Sequence, residues 1–109
     1  MSGGRSIIVC PIQTAEGVKA VDVAWVSHQR RASRPNDPAY LIAPEICVEV
    51  LSPSNLEGQM NERRRLFFEK GALEFWLCGL NGEMSFFDPA GPIPHSRLCP
   101  EFPKQISLD

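Results

Sequence analysis

Two carboxylates, Asp22 and Glu49, are the residues of this chain whose surroundings suggest chemistry. Each lies within an apolar run that alternation identifies as a β-strand, over residues 20–27 and 45–51. An acid flanked by valines, as Glu49 is, is costly to bury unless something pairs with it. Two such acids predict a divalent-metal site, or else strand-end residues that backbone donors or an arginine satisfy. The residues alone leave both alternatives open.

Arg63 is the cation that the pattern brings towards this pair. A helix predicted over about residues 55–70 places one narrow stripe of side chains along its length. The stripe consists of Leu56, Met60, Arg63 and Phe67. An arginine in an apolar stripe either extends to solvent along its stem or meets a buried anion. Because Glu49 lies on the strand that leads into the helix, we expect an Arg63–Glu49 salt bridge where a metal would otherwise bind.

The elements that position these residues follow from β-branched runs, turn residues and prolines. The predicted order is a strand at 6–12, a turn at 14–17, strands at 20–27 and 45–51, a helix at about 55–70, and strands at 73–79 and 83–87. Pro11 is expected to end the first strand, and Pro35 and Pro38 to keep residues 28–38 irregular. Gly71 is placed to end the helix, and Asn81-Gly82 predicts a hairpin.

Alternation along the two acid-bearing strands predicts which side chains share a face of the sheet. On the second strand, one face carries Asp22, Ala24 and Val26, and the other carries Val21, Val23 and Trp25. On the third strand, one face carries Glu45, Cys47 and Glu49, and the other carries Ile46, Val48 and Val50. The two acids can then converge only if these strands are neighbours with their acid faces on the same side.

With 109 residues, 43% of them hydrophobic and 22% charged, the chain is expected to fold as one domain. We expect its core over about residues 7–88 and a proline-rich, extended tail over 89–109.

A formal net charge of −2 argues against general coating of nucleic acid, although a local basic patch is compatible with it. The loop arginines that could contact phosphates, or simply be solvated, are Arg30, Arg31 and Arg34.

The cysteines indicate a reducing compartment rather than a metal centre. Cys10, Cys47, Cys78 and Cys99 lie far apart without a C-x-x-C pair, which argues against zinc and favours reduced thiols.

No apolar run approaches the ~20 residues that span a bilayer. The apolar run near the N-terminus is too short for a secretory signal. We therefore expect a cytoplasmic protein without a membrane partner.

Three stretches resemble one protein family. They are Val-Asp-Val-Ala-Trp at residues 21–25, Pro-Glu-Ile-Cys-Val-Glu-Val-Leu-Ser-Pro-Ser at 44–54, and Gly-Ala-Leu-Glu-Phe-Trp-Leu at 71–77. In these the chain is similar to the Uma-type bacterial restriction-endonuclease-like proteins of the PD-(D/E)XK nuclease superfamily. The resemblance implies an α/β (α+β) fold with a mixed central β-sheet packed against one main amphipathic helix. It also implies that the family's N-terminal helical part is absent here.

The resemblance further implies a metal-dependent site. Asp22 and Glu49 would bind Mg²⁺ or Mn²⁺, with the backbone carbonyl of Val50 as a third ligand, and Asp22, Glu49 and Arg63 would form the catalytic set. The superfamily lysine usually stands two residues after the glutamate, where this chain has Leu51. In the Uma-type proteins it stands on the following helix, at the position of Arg63. Arginine stabilises an anion but is a poor proton acceptor.

Two functions are therefore expected. The first is a Mg²⁺-dependent DNA endonuclease or phosphodiesterase that uses a metal-activated water and acts as a homodimer. The second is a catalytically degenerate protein that keeps the nuclease fold and serves as an interaction or oligomerisation module. If a helix that covers the sheet in relatives is missing, the apolar surface left behind predicts a dimer or higher assembly.

Overall fold

Within the described residues, six strands form one mixed sheet, in which the strands follow one another in chain order. In this computed structural model, residues 3–32, 39–54 and 57–107 are described. The elements are β1 (Gly4–Thr14), β2 (Gly17–Ser27), α1 (His28–Ala32), β3 (Ile46–Val50), α2 (Glu57–Glu69), β4 (Glu74–Cys78), β5 (Met84–Asp88) and β6 (Gly91–Ile93). Strands β3 and β4 are parallel and α2 connects them, whereas the other neighbouring pairs are antiparallel. The mixed sheet with one main helix confirms the expected fold class.

The β1–β2 hairpin turns at the predicted residues, but its strands are longer than predicted. Gly17 adopts a φ of 97°, and the Thr14 hydroxyl donates to the Gly17 carbonyl at 2.7 Å. The prediction that Pro11 ends the first strand is wrong, since β1 continues to Thr14. Proline is tolerated here because β1 is an edge strand, where a missing N–H costs little. The Pro11 carbonyl still accepts a hydrogen bond from the Tyr40 N–H at 2.9 Å.

The predicted alternation on β2 is wrong at Val21. Pairing between β1 and β2 is regular except at Val9 and Asp22, and Val9 adopts a φ of 53°, an unusual value for a β-branched residue. On the two sides of this irregularity, Val21 and Ala24 lie in the same core cluster although they are three residues apart. The face that packs beneath the helix therefore changes parity at Asp22. A strict period of two cannot anticipate this.

Helix α2 ends as the sequence predicts. Gly71 adopts a φ of 99°, and its N–H donates to the Phe68 carbonyl at 3.0 Å. The Ala72 N–H donates to the Phe67 carbonyl at 3.1 Å, which completes a Schellman motif. Met60 and Phe67 are buried on the predicted stripe; Leu56 lies outside the described residues.

The segment after β2 was predicted to be irregular, and this is wrong for residues 28–32, which form the short helix α1. The Ser27 hydroxyl accepts a hydrogen bond from the Arg30 N–H at 3.2 Å and caps this helix. The remainder of the predicted loop, residues 33–38, lies outside the described residues.

Two apolar clusters occupy the two faces of the sheet. The first lies beneath α2 and includes Ile12, Cys47, Phe67 and Phe75. The second contains Ile46, Trp76 and Phe86 and is covered by the tail through Cys99, Phe102 and Ile106. The tail also contributes β6, a strand that the sequence did not predict. The Asn81-Gly82 hairpin between β4 and β5 is confirmed, with Gly82 at a φ of 81°.

The four cysteines are free thiols. Among the described residues, none of the helices is both long and apolar enough to cross a membrane.

A candidate active site at the carboxylate pair

Asp22 and Glu49 converge because β2 and β3 are antiparallel neighbours. The register that pairs Val23 with Val48 places Asp22 opposite Glu49 at the next position. Both acids line a pocket of about 480 Å³ between the sheet and α2, which we call the acid pocket. The acid pocket is lined by Glu16, Lys19, Asp22, Glu49, Gln59, Met60, Glu62, Arg63 and Leu66. The convergence of the two predicted acids on one spot is thus present in the structure.

Arg63 forms the expected salt bridge with Glu49. Its Nε and Nη2 lie 3.2 and 3.0 Å from Glu49 Oε1. Nη2 also donates to the carbonyl of Ala20 on β2, and the guanidinium lies 5.4 Å from the centre of the Phe67 ring. Arg63 therefore connects α2 to both acid-bearing strands, and its donors are largely committed.

The Glu49 carboxylate is compensated only in part. It is 3% exposed, and burial raises its pKa to about 7, although the Arg63 guanidinium acts in the opposite direction. The neighbouring Asp22 carboxylate adds to the rise in this pKa. A raised pKa means that the negative charge at Glu49 is disfavoured. A further cation at this position would be attracted by both acids.

Asp22 is oriented by the backbone of the neighbouring strand. Its Oδ2 accepts a hydrogen bond from the Val50 N–H at 2.8 Å. Val50, which the family resemblance names as a ligand, is thus adjacent to Asp22 through its N–H.

The donor set suits a hard divalent cation. Mg²⁺ is usually bound by one or two carboxylates together with waters and phosphate oxygens, which two acids at an open pocket can satisfy. No cluster of three or more histidine, cysteine or acidic side chains arranged for a metal occurs in the described part of the chain. The residues therefore fit Mg²⁺ or Mn²⁺ with an incomplete protein shell, and they do not fit a closed structural zinc site.

The rim of the acid pocket is held by an exposed ion-pair network centred on Arg65. Its guanidinium contacts Glu62, Glu69 at 2.6 Å on the same helix, and Glu16 at 3.3 Å in the β1–β2 turn. The network joins the hairpin to α2. At about half exposure, each of these pairs contributes little to stability.

The chain matches a known protein family in sequence and a solved protein in fold. The sequence model of the Uma2 family, described as "Putative restriction endonuclease", matches residues 5–101. The chain belongs to this family. No curated protein matches it in sequence. A crystal structure from Anabaena variabilis ATCC 29413, described as a putative nuclease belonging to DUF820, has a TM-score of 0.68 and 18% identity to the chain.

The structural match covers 96% of this chain and 65% of the Anabaena protein, so the chain spans about two thirds of that protein's length. At this identity the match shows a shared fold. In this Uma2 chain, the predicted acid pair lies between two strands of that fold and the main helix.

The loop arginines predicted to contact nucleic acid have different environments in this Uma2 chain. Arg30 Nη1 donates to the carbonyls of Ala43 at 2.7 Å and Gly71 at 2.8 Å, and Arg30 Nε lies 3.5 Å from Glu45. These contacts tie α1 to the ends of neighbouring elements. Arg31 is exposed, and Arg34 lies outside the described residues. Phosphate contact by the three arginines stays a prediction.

The sequence did not single out Lys19 or Glu74. Strict alternation places Lys19 on the face opposite Asp22, and only the irregularity at Asp22 brings it into the acid pocket. Glu74 is 3% exposed and accepts four hydrogen bonds, one from Trp76 on β4 and three from the tail, which they hold. The feature that could have found Glu74 is the one that identified Glu49, namely an acid within an apolar strand.

Proposed function

We propose that this protein is a divalent-metal-dependent nuclease that hydrolyses phosphodiester bonds in DNA, with Asp22 and Glu49 as ligands of Mg²⁺ or Mn²⁺. The observation that carries the proposal is the convergence of these two acids in one open pocket. Arg63 offsets the negative charge of the Glu49 carboxylate only in part. Membership of a restriction-endonuclease-like family supports the choice of substrate class.

The two acids, Arg63 and Val50 have separate roles in this proposal. Asp22 is held by the Val50 N–H, and Glu49 is held by Arg63, so both carboxylates are oriented before any ligand arrives. A bound divalent ion would lower the pKa of a coordinated water and neutralise charge on the phosphate. Arg63 stabilises negative charge and fixes Glu49, but it does not accept a proton. The Val50 carbonyl is proposed as the third protein ligand.

The test is divalent-metal-dependent nicking of supercoiled plasmid DNA by the purified protein. We expect cleavage with Mg²⁺ or Mn²⁺ that falls more than about 100-fold in Asp22→Asn and in Glu49→Gln, since each removes a metal ligand. Glu69→Gln is the matched control, because it removes an exposed carboxylate of α2 outside the acid pocket. Variants at 22 and 49 that cut as well as the Glu69 variant would show that the assigned site is wrong.

Metal binding supplies a readout that does not depend on activity. We expect calorimetric titration to give Mn²⁺ binding by the parent protein and none by the Asp22→Asn and Glu49→Gln variants. Binding that survives both substitutions would place the metal elsewhere in the protein.

A second function is supported by the residue that occupies the acid pocket. Arg63 already binds Glu49, and Leu51 stands where the superfamily lysine is usual, which favours a catalytically degenerate interaction module. This function predicts no metal binding at millimolar Mg²⁺ or Mn²⁺ and no nicking by the parent. An Arg63→Lys variant that then cuts DNA would show an intact scaffold whose activity the arginine blocks.

We also propose that the protein forms a homodimer or a higher homo-oligomer. The support is a set of large exposed apolar side chains, with Ile8 at 76% and Val9 at 67% on edge strand β1 and Val50 at 43% on β3. Exposed apolar surface on an edge strand favours association. Light scattering at micromolar concentration tests this, and a monodisperse monomer would contradict it.

A further inference from the structure

Lys19 lies in the acid pocket, three residues before Asp22 on β2. It pairs across the hairpin with Ile12, which is fully buried in the cluster beneath α2. Cross-strand partners share a face of the sheet, so the Lys19 side chain projects towards the helix and the acids. Its side chain is half-buried, and its stem therefore lies against the protein.

The other cation of the acid pocket, Arg63, is committed to protein partners. Its guanidinium binds Glu49 and the Ala20 carbonyl, and it lies over the Phe67 ring. Withdrawing it would leave Glu49 buried without a counter-charge, which is costly. Arg63 is therefore not suited to leave these partners and bind a ligand whose position varies.

Lys19 is not committed in this way. Among residues 3–32, 39–54 and 57–107, none of the ion pairs includes Lys19. Lys19 makes a small contribution to lowering the pKa of Glu62, which is lowered mainly by the hydrogen bond from Arg65. The Lys19 ammonium therefore has donors available for a ligand.

A phosphodiester that enters this pocket meets several carboxylates. Glu16 and Glu62 are paired with Arg65, and Glu49 with Arg63. Asp22 has a backbone donor, and none of the ion pairs of the described residues gives it an arginine. Lys19 is then the pocket cation whose charge is still available to an incoming anion. A lysine ammonium is a compact charge on a flexible stem, which suits contact with a phosphate oxygen whose position varies.

We propose that Lys19 is the phosphate-contacting cation of the acid pocket and that its ammonium donates to a non-bridging oxygen of the bound DNA backbone. The lysine stays protonated throughout, so no bond is made or broken at this residue. This inference rests on the proposed function, because it takes DNA as the ligand of the same pocket. It adds the residue that holds the phosphate while Asp22 and Glu49 hold the metal.

The test is fluorescence anisotropy of a labelled DNA duplex with the full chain, with Ca²⁺ in place of Mg²⁺. We expect Lys19→Gln to weaken binding about tenfold at low salt and to reduce the slope of log affinity against log salt by about one. Lys19→Arg, which keeps the charge, should bind within about twofold of the parent. The matched control is Lys104→Gln, which removes the same charge from an exposed residue of the tail.

Thermal unfolding of each variant shows whether a loss of binding reflects a loss of folding. Since Lys19 makes no ion pair with a described residue, Lys19→Gln and Lys104→Gln should unfold at the same temperature as the parent. Reduced binding by the Lys19 variant at unchanged folding supports the proposal. Equal binding by the two glutamine variants, or a parent that does not bind DNA, overturns it.

Plasmid nicking by the same preparations separates this inference from the proposed function. If cleavage depends on Asp22 and Glu49 while Lys19→Gln binds and cuts like the parent, the Lys19 inference fails alone. If Lys19 governs DNA affinity but the parent never cuts DNA with any divalent metal, the hydrolytic function fails and the phosphate contact stands.

Discussion

Glu49 and Glu74 are both 3% exposed, yet their surroundings differ. They lie on β3 and β4, which are parallel neighbours in the sheet. Glu74 accepts hydrogen bonds from Trp76 Nε1 at 2.8 Å, the Ser96 hydroxyl at 2.6 Å, and the backbone N–H groups of Arg97 at 2.9 Å and Leu98 at 3.1 Å. Glu49 has one arginine, and Asp22 lies beside it.

The difference separates a structural acid from a candidate ligand. Four donors occupy both oxygens of Glu74, so this carboxylate has little capacity left and instead fixes the tail across the second face of the sheet. At Glu49 the single cation does not offset burial and the neighbouring acid, and the pKa is raised to about 7. Burial of an acid is therefore not enough to indicate function; the number and type of its partners decide.

The largest effect is expected when Glu74 is removed. Glu74→Ala leaves the Trp76 indole, the Ser96 hydroxyl and two backbone N–H groups without an acceptor, which should lower the free energy of unfolding by about 4 kcal/mol. Urea unfolding measures this change. Glu83→Ala, an exposed acid of the β4–β5 hairpin, is the control and should change stability by less than about 1 kcal/mol. Equal effects of the two variants would show that the hydrogen bonds of Glu74 do not hold the tail.

The next effect tests the counter-charge of Glu49. Arg63→Met keeps a long apolar stem against Phe67 but leaves Glu49 buried without its cation, so we expect a loss of about 3 kcal/mol at pH 8. At pH 5 the loss should be smaller, because Glu49 is then protonated. Arg64→Met is the control, since Arg64 lies over the Phe87 ring at 4.2 Å and makes no ion pair with an acid in the described part of the chain. A loss that is the same at both pH values would contradict the role assigned to Arg63.

A third prediction concerns pH alone. The folded protein keeps a proton on Glu49 up to about pH 7, whereas the free carboxyl loses it near 4.5. Between these values the folded state binds more protons than the unfolded state, so the contribution of Glu49 to stability falls as pH rises and levels off above about 7. The total change is about 3 kcal/mol.

The comparison that isolates this contribution is the parent against Glu49→Gln, with unfolding measured at several pH values. The stability of the parent relative to the variant should decrease between about pH 4.5 and 7. A constant difference over that range would mean that Glu49 titrates normally and that the contrast with Glu74 lies elsewhere.

The smallest effect is expected at the rim. Arg65→Ala removes contacts with Glu16, Glu62 and Glu69, but these side chains are about half exposed. Solvent screens such pairs, so thermal unfolding should show a much smaller loss of stability than in Arg63→Met. A loss as large as that of Arg63→Met would mean that the rim, and not the buried pair, holds α2 on the sheet.

Local sequence patterns correctly predicted the features that depend only on neighbouring residues. Gly71 ends α2 and Gly82 lies in the hairpin because both positions need a positive φ, which glycine adopts readily. Pro11 misled the prediction because its effect depends on whether the strand is at an edge, which only the sheet order decides. Strand β6 was missed since three residues, Gly91–Ile93, form a strand only through pairing with β5.

The sequence by itself determined that Glu49 needs a partner and that Arg63 faces the core, because burial of charge and helical periodicity are properties of short segments. Only the tertiary structure decided that Asp22 lies opposite Glu49, and that the face of β2 changes at Asp22 and brings Lys19 to the acids. Both depend on strand register and on one backbone irregularity, which are set by pairing between strands distant in sequence.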